Sequence, residues 1–178
     1  NDVAVAAATL LADATVQRVA VVDLDVHHGN GTAAIFAGED RVRTFSMHQE
    51  RNYPAVKPPS DLDVGLDDGV GDATYLERLR ESLPTVLSGL PDLVYYLAGA
   101  DPYREDQLGG LGLTLDGLRK RDRLVLDTAR EAGACVAVVL AGGYARRTED
   151  TVAIHAATVE EVVRRVEGEG GPVPHGGR

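Results

Sequence analysis

The 178-residue sequence predicts an α/β protein built in three layers, a parallel sheet with helices on both faces. Two observations carry this expectation. Strand-length runs such as Val19-Ala20-Val21-Val22 and Val136-Ala137-Val138-Val139 are apolar throughout. A strand with no polar face is buried on both sides, as strands of parallel sheets are. Helical patterns alternate with these runs and supply the crossovers that parallel strands need. The composition agrees, since 44% hydrophobic and 26% charged residues suit one domain with a substantial core.

The elements follow in chain order. Asn1 or Asp2 can cap a first helix through Val3, Ala7 and Leu11. Arg18 to Leu24 is a β-branched and apolar run of strand length, Thr32 to Ala37 a short helix, and Val42 to Met47 a second strand. Pro54, Pro58 and Pro59 make Gln49 to Ser60 a loop. Asp72 is suited to cap a helix carrying Tyr75, Leu76, Leu79 and Leu83, which Pro84 should kink or restart. Leu93 to Leu97 reads as the third strand. Thr114 can cap a helix that runs to about Ala132 and stops at Gly133. Cys135 to Leu140 is the fourth strand, and a last helix spans Thr148 to Val166. One α/β domain is therefore expected over residues 1–166, and the Gly- and Glu-rich stretch 167–178 predicts a disordered tail. An opening on a helix cap, without an initiator methionine, predicts that this domain is N-terminally incomplete.

Charge and cysteine content narrow the partners. With 28 acidic and 18 basic residues the formal net charge is −10, which opposes a direct nucleic-acid partner. Cys135 is the single cysteine and has no internal partner, which suits a reducing, cytoplasmic setting. No apolar run reaches the roughly 18–20 residues needed to span a bilayer, and no signal peptide opens the chain, so no membrane association is expected. Lys57 and Lys120 are the only lysines beside abundant arginine, a bias of GC-rich bacterial genomes.

The chemistry gathers where strands end. In extended chain, side chains two residues apart point the same way. Asp25 and His27, just past the first strand, can therefore converge on one ion, and Asp101, just past the third, can complete the set. Two carboxylates and an imidazole form a borderline N/O site suited to Zn2+, with Fe2+ also compatible, at ligand distances of ~2.0–2.2 Å. Tyr144, on a glycine-flanked turn after the fourth strand, could donate its hydroxyl to a developing oxyanion. Functional groups of open α/β sheets collect beyond the carboxyl ends of the strands, where all four residues fall. A rival reading takes Gly29-Asn30-Gly31-Thr32-Ala33-Ala34 as a dinucleotide fingerprint. It fails because two acids and two histidines stand between the strand and the first glycine, and Glu50 lies past the next strand rather than at its end.

These segments carry a resemblance. Asp23-Leu24-Asp25-Val26-His27-His28-Gly29-Asn30-Gly31-Thr32 is similar to the metal-loop signature of the histone deacetylase family. Gly99-Ala100-Asp101-Pro102 with Asp106-Gln107-Leu108-Gly109-Gly110 resembles its second metal segment, and Ala141-Gly142-Gly143-Tyr144 its catalytic-tyrosine loop. Asn1-Asp2-Val3-Ala4-Val5-Ala6-Ala7 is similar to the helix just upstream. The match covers about residues 1–165, with the motifs in family order.

The resemblance implies an arginase/deacetylase-like fold and a zinc-dependent amidohydrolase that removes acetyl from N-acetyl-lysine or a related acetylated small amine. It implies Asp25, His27 and Asp101 as zinc ligands and Tyr144 as catalytic. Asp23, with backbone carbonyls of Asp25 and His27 and with Ser46 and Met47, would hold a structural K+. Tyr53, Leu108 and Gly143 would line the substrate tunnel, and Leu108 at its rim favours a neutral acyl-lysine stem. Asn30 stands where some classes have Asp, which is nearer class II and class IV-like members. The family's tandem histidine pair for proton transfer lies upstream of the Asn-Asp-Val segment, and His28 is no substitute because it points away from His27. As written, the chain is expected to bind metal and turn over poorly. The alternative is a non-catalytic metal-binding or interaction domain derived from a deacetylase. A homo-oligomer is compatible with either.

Plainer roles are open for several residues. Ser46 suits an ordinary strand end, Tyr144 a buried turn, and Leu108 and Tyr53 simple packing. Tyr95 and Tyr96 read as core. His48, His155 and His175 have no evident partners and read as solvated or structural. Arg119, Arg121, Arg123 and Arg130 read as a solvated helix face with neighbouring acids.

Overall fold

The computed structural model describes residues 1–169. Five helices and five strands follow one another as α1 (Asp2–Ala12), β1 (Val19–Asp23), α2 (Asn30–Phe36), β2 (Val42–Gln49), β3 (Leu62–Leu66), α3 (Asp72–Leu87), β4 (Leu93–Ala98), α4 (Leu115–Glu131), β5 (Cys135–Leu140) and α5 (Thr148–Glu169). The strands form one parallel sheet in the order β3-β2-β1-β4-β5. From β1 the chain winds outward through β2 to β3, then returns to pair β4 with the other side of β1 and ends at β5. The winding direction therefore reverses between β1 and β4, which opens a crevice beyond their carboxyl ends. Register puts Asp23, the last residue of β1, level with Ser46 of β2 and Leu97 of β4, so β1 ends there while its two neighbours run on.

The period-two alternation of β1 distributes its side chains between two cores. Ala20 and Val22 join Phe45, Val94, Tyr96, Leu79, Leu83, Leu118, Val125 and Ile154 under α3, α4 and α5. Val19 and Val21 join Val3, Ala7, Leu11, Phe36, Val42 and Tyr95 under α1 and α2. Both faces thus carry helices, as the apolar strands predict, but β5 is covered only in part: its four central residues are half-buried, and Cys135 and Leu140 are exposed. Asn1 caps α1 by accepting from the Ala4 amide at 3.0 Å, and Thr114 caps α4 by accepting from Gly117 at 2.9 Å. Gly133, at φ +75°, ends the α4 turn in a conformation that favours glycine.

Five expectations are corrected. The sequence shows four strands and the sheet has five, because β3 is a short edge strand in which Asp63 and Gly65 interrupt the apolar run. Pro84 neither breaks nor restarts α3: it lies exposed in the last turn of a helix that continues to Leu87. Gly71, not Asp72, occupies the cap position of α3, and Asp72 accepts instead from the amide and hydroxyl of Thr114 at 2.8 and 2.6 Å. Arg121 is fully buried rather than part of a solvated face. The last helix continues to Glu169, and the tail expected from 167 lies, from residue 170 on, outside the described residues. Among the described residues no helix is long and apolar enough to cross a membrane.

Arg119 and Arg123 do meet acids, but across a helix seam. Glu161 of α5 is only 2% exposed and accepts from Arg119 at 2.6 Å, Arg123 at 3.0 Å and Arg164 at 3.0 Å, with Arg165 at 3.2 Å. Burial works against its ionisation, but the hydrogen bonds from Arg123, Arg119 and Arg165 prevail and hold the carboxyl down to about 2. A carboxyl depressed on folding stabilises the native state above its unfolded value near 4.5 and loses that contribution as pH falls toward 2. Glu161→Gln should therefore lower stability by about 1.5–3 kcal/mol at pH 7. Urea unfolding at pH 7 and pH 3 checks this: the gap between wild type and variant should narrow at the lower pH.

Candidate metal centre

Beyond Asp23 the chain leaves the strand and bends through Asp25-Val26-His27, yet its side chains still divide between two sides. Leu24 and Val26 are fully buried in the core, which leaves Asp25 and His27 turned together toward the crevice. Backbone amides then fix each carboxylate. Asp23 Oδ1 accepts from the Asp25 amide at 3.1 Å, and Asp25 Oδ1 from the His27 amide at 2.9 Å. Asp25 Oδ2 accepts from Gly142 at 3.0 Å, and Asp101 Oδ1 from Val26 at 2.9 Å. His27 Nδ1 lies 2.9 Å from Asp25 Oδ1 and 3.5 Å from Asp101 Oδ2. Ligand atoms of Asp25, His27 and Asp101 all fall within 4.8 Å of one another.

This closeness depends on two glycines. A Cβ at Gly142 would stand 2.3 Å from Asp101 Oδ2 and 2.8 Å from Asp25 Oδ2. At Gly99 it would stand 2.7 Å from both Asp101 Oδ1 and the Asp25 Cα. The charges are unbalanced. Burial, reinforced by the Asp25 charge, pushes Asp23 up to about 8. Burial also lifts Asp101 to about 6, despite the imidazole of His27 beside it. The carboxylates of Asp101 and Asp25 in turn raise His27 to about 9, against the effect of its own burial. Asp101 is 1% exposed, and its Oδ2 has no hydrogen-bond partner. Three crowded carboxylates and an unsatisfied buried oxygen fit a bound cation.

The structure places the other predicted residues around this cluster. Ser46 Oγ accepts from the Gly29 amide at 3.1 Å, and Met47 is fully buried behind it. Tyr53 is 68% exposed, with its ring edge-on to His27 at 6.4 Å between centroids. Leu108, also exposed, accepts through its carbonyl from Asn52, so the loops bearing Tyr53 and Leu108 are joined. Gly143 packs against Ala100 and Thr151, where a Cβ would stand 2.9 Å from each. Tyr144 is 58% exposed rather than buried in its turn.

Two features are not legible from spacing. His48 is buried, lies 3.1 Å from Ser46 Oγ and packs edge-on against His28, whose Nε2 is 3.0 Å from Asp63 Oδ1. His28, His48 and Asp63 form a second group of ligand-type side chains, but these bonds engage them in joining the loop after β1 to β2 and β3. The second feature is Asp106, which is buried and binds three backbone amides. Oδ1 accepts from Leu108 at 2.8 Å and Gly109 at 2.9 Å, while Oδ2 accepts from Tyr144 at 2.6 Å. One carboxylate thus holds both the Leu108 loop and the Tyr144 turn. Its signal in the sequence is an Asp preceding a Leu-Gly-Gly turn, a pattern of Asx turns.

Fold and cluster together define a doubly wound α/β protein with a candidate metal centre at its topological switch point. The family follows from comparison: residues 1–160 match the histone deacetylase domain, and the chain belongs to the histone deacetylase family. An uncharacterized protein of Picosynechococcus is 48% identical over 157 residues, which is 88% of this chain and 52% of that protein. A histone deacetylase-like amidohydrolase of Pseudomonas aeruginosa is 35% identical over 156 residues, 80% of this chain and 41% of that protein. The crystal structure of an acetylpolyamine aminohydrolase from Burkholderia pseudomallei superposes with a TM-score of 0.75 at 28% identity, covering 90% of this chain and 48% of that one. The chain spans about half the length of these relatives, or somewhat less.

The Asp106 bonds generate a test. In Asp106→Asn the amide oxygen can still accept from Leu108 and Gly109, whereas the NH2 group faces the Tyr144 amide and cannot accept from it. Amide hydrogen exchange should accelerate at Tyr144 while Leu108 keeps its protection, with a stability loss of about 1–3 kcal/mol. Equal acceleration at both amides would show that Asp106 does not divide its oxygens in this way.

Proposed function

We propose that this chain carries the metal-binding and oxyanion-stabilising part of a bacterial, cytoplasmic zinc-dependent amidohydrolase. The reaction is removal of acetyl from N-acetyl-lysine or a related acetylated amine. The observation that carries the reading is the convergence of Asp25, His27 and Asp101, with the buried unpartnered Oδ2 of Asp101, at the carboxyl ends of β1 and β4. The names of the Pseudomonas and Burkholderia proteins, an amidohydrolase and an acetylpolyamine aminohydrolase, support the reaction class.

Asp25, His27 and Asp101 hold Zn2+, and Fe2+ suits the same donors. When bound, the ion polarises the acyl carbonyl and acidifies water. Tyr144 donates its hydroxyl to the oxyanion that forms as the amide carbonyl is attacked. Asp25 and His27 are oriented for the ion by the Gly142 and Asp25 bonds described above. Asp23, with Ser46, Met47 and the Asp25 and His27 carbonyls, holds a structural K+. Tyr53, Leu108 and Gly143 border the entry of the acyl-amine stem.

His28 takes no part in proton transfer in this proposal, because it is buried and bonded to Asp63. General acid–base catalysis contributes typically about 10²–10⁴-fold, and the proposal assigns that role to neither His27 nor His28. The rival, a non-catalytic metal-binding domain, requires Tyr144 to be dispensable.

Two measurements test the reading. Zinc titration of Asp101→Ala should show loss of the tight site, and wild-type stoichiometry and affinity would reject the ligand set. In the full-length protein, Tyr144→Phe should lower kcat by about 10²–10³-fold with little change in KM. An unchanged kcat would reject the role of Tyr144 and favour the non-catalytic rival.

A further inference from the structure

Arg121 is a fully buried arginine whose bonds lead to the metal cluster. Its neighbours Arg119 and Arg123 turn to Glu161 on the outer seam, but Arg121 turns inward beneath the end of β4. There its Nη1 donates to the Gly99 carbonyl at 2.6 Å. Its Nε and Nη2 both donate to Asp122 Oδ1, at 3.0 and 2.8 Å. Asp122 is itself held by the hydroxyls of Tyr96 at 2.5 Å and Thr158 at 2.6 Å, and the guanidinium carbon lies 5.9 Å from the centre of the Tyr96 ring. The arginine is therefore anchored on one side by a strand and two helices and grips a single backbone carbonyl on the other.

That carbonyl belongs to the residue where the two halves of the cluster touch. Gly99 lies so close to the Asp25 Cα and to Asp101 Oδ1 that no side chain fits, and the next residue, Ala100, donates its amide to the Gly142 carbonyl at 2.6 Å. Rotation of the Gly99 peptide would move Asp101 relative to Asp25 and His27. A buried ion pair is often no more stabilising than apolar residues of similar size, so packing alone gives weak reason for an arginine here. A planar fork that reaches a carboxylate and a carbonyl in fixed relative positions gives a stronger one.

We propose that Arg121 is a positioning residue for the metal centre: by gripping the Gly99 carbonyl it sets the turn that aims the Asp101 carboxylate at Asp25 and His27. It touches neither ion nor substrate. The proposal rests on the reading of Asp101 as a ligand. Lysine cannot take its place, because one ammonium on a flexible stem does not span Asp122 and Gly99 with the same geometry.

The experiment measures zinc affinity of the intact protein by competition with a chromophoric chelator, the absorption spectrum of the Co2+-loaded protein, and melting temperature. The variants are Arg121→Lys, the double variant Arg121→Met with Asp122→Asn, and Thr158→Val. Groups that orient metal ligands typically contribute about 10–100-fold in affinity. Both Arg121 variants should therefore weaken zinc binding by about tenfold or more and alter the Co2+ spectrum. The double variant leaves no unpaired buried charge and serves if Arg121→Lys fails to fold. Thr158→Val loosens the same network on the side away from Gly99, so it should lower the melting temperature and leave zinc affinity at the wild-type value. Wild-type affinity and spectrum in the folded Arg121 variants would overturn the proposal, as would zinc affinity that falls in step with melting temperature across all three. Asp101→Ala separates the two readings. If it binds zinc like wild type, the ligand assignment fails, whereas if it alone loses zinc, the ligand assignment stands and the role of Arg121 fails.

Discussion

Four backbone amides, those of Asp25, Val26, His27 and Gly142, hold the carboxylates of Asp23, Asp25 and Asp101 around a single imidazole, and the shape of the strand ends follows from that crowding. Like charges in a buried place repel, so the cluster persists only where donors are fixed and the backbones come close. Fixed donors explain how the chain bends through Asp25, Val26 and His27 on leaving β1 and still keeps Asp25 and His27 at the cluster. Close backbones explain Gly99 and Gly142, at which any side chain would strike the carboxylate oxygens. The remaining conflict is the raised titration of Asp23 and Asp101 and the unsatisfied Oδ2 of Asp101. A cation bound among these groups would offset that conflict.

Topology supplies the rest of the constraint. Asp25 and His27 come from one side of the crevice, Asp101 from the other, and Gly142 from the strand beyond. This much is legible in the sequence, because an acid and a histidine two residues apart past an apolar strand must point the same way. The order of apolar runs likewise forces a parallel sheet. What the sequence hides is interaction at a distance. β3 is an edge strand whose pairing with β2 makes up for a poor intrinsic pattern. Pro84 reads as a breaker, yet it lies exposed in the last turn of α3, which continues to Leu87. Asp106 looks like any loop acid until its three amide donors are seen. Arg121 reads as one of four helix-surface arginines, since no local pattern reveals a carbonyl 22 residues earlier in the chain at the end of its fork.

The adjacent histidines show how the same local rule separates two roles. His27 faces the crevice, half exposed, whereas His28 is turned under the loop and joined to Asp63, with His48 and Ser46 behind it. Register places Ser46 level with Asp23 and with Asp63, so this second polar group joins β1, β2 and β3 at one level. It fixes the Gly29 turn through the Ser46 hydroxyl and thereby the direction in which α2 departs. One imidazole presents its nitrogen to the cluster because its neighbour is committed to holding the loop.

The polar groups beneath the helices show why such commitment is worth its cost. An outer seam joins Glu161 to arginines of α4 and α5, and an inner set joins Asp122 to Tyr96, Thr158 and Arg121. Apolar side chains could fill the inner volume with equal or greater stability, but dispersion has no direction and would let α4 slide against β4. Hydrogen bonds from a strand tyrosine and a helix threonine tie Asp122 to β4 and α5, while the rigid fork of Arg121 spans from Asp122 Oδ1 to the Gly99 carbonyl. Direction is needed only where a geometry must be kept, and here the fork of Arg121 supplies it at the one peptide that separates Asp25 from Asp101.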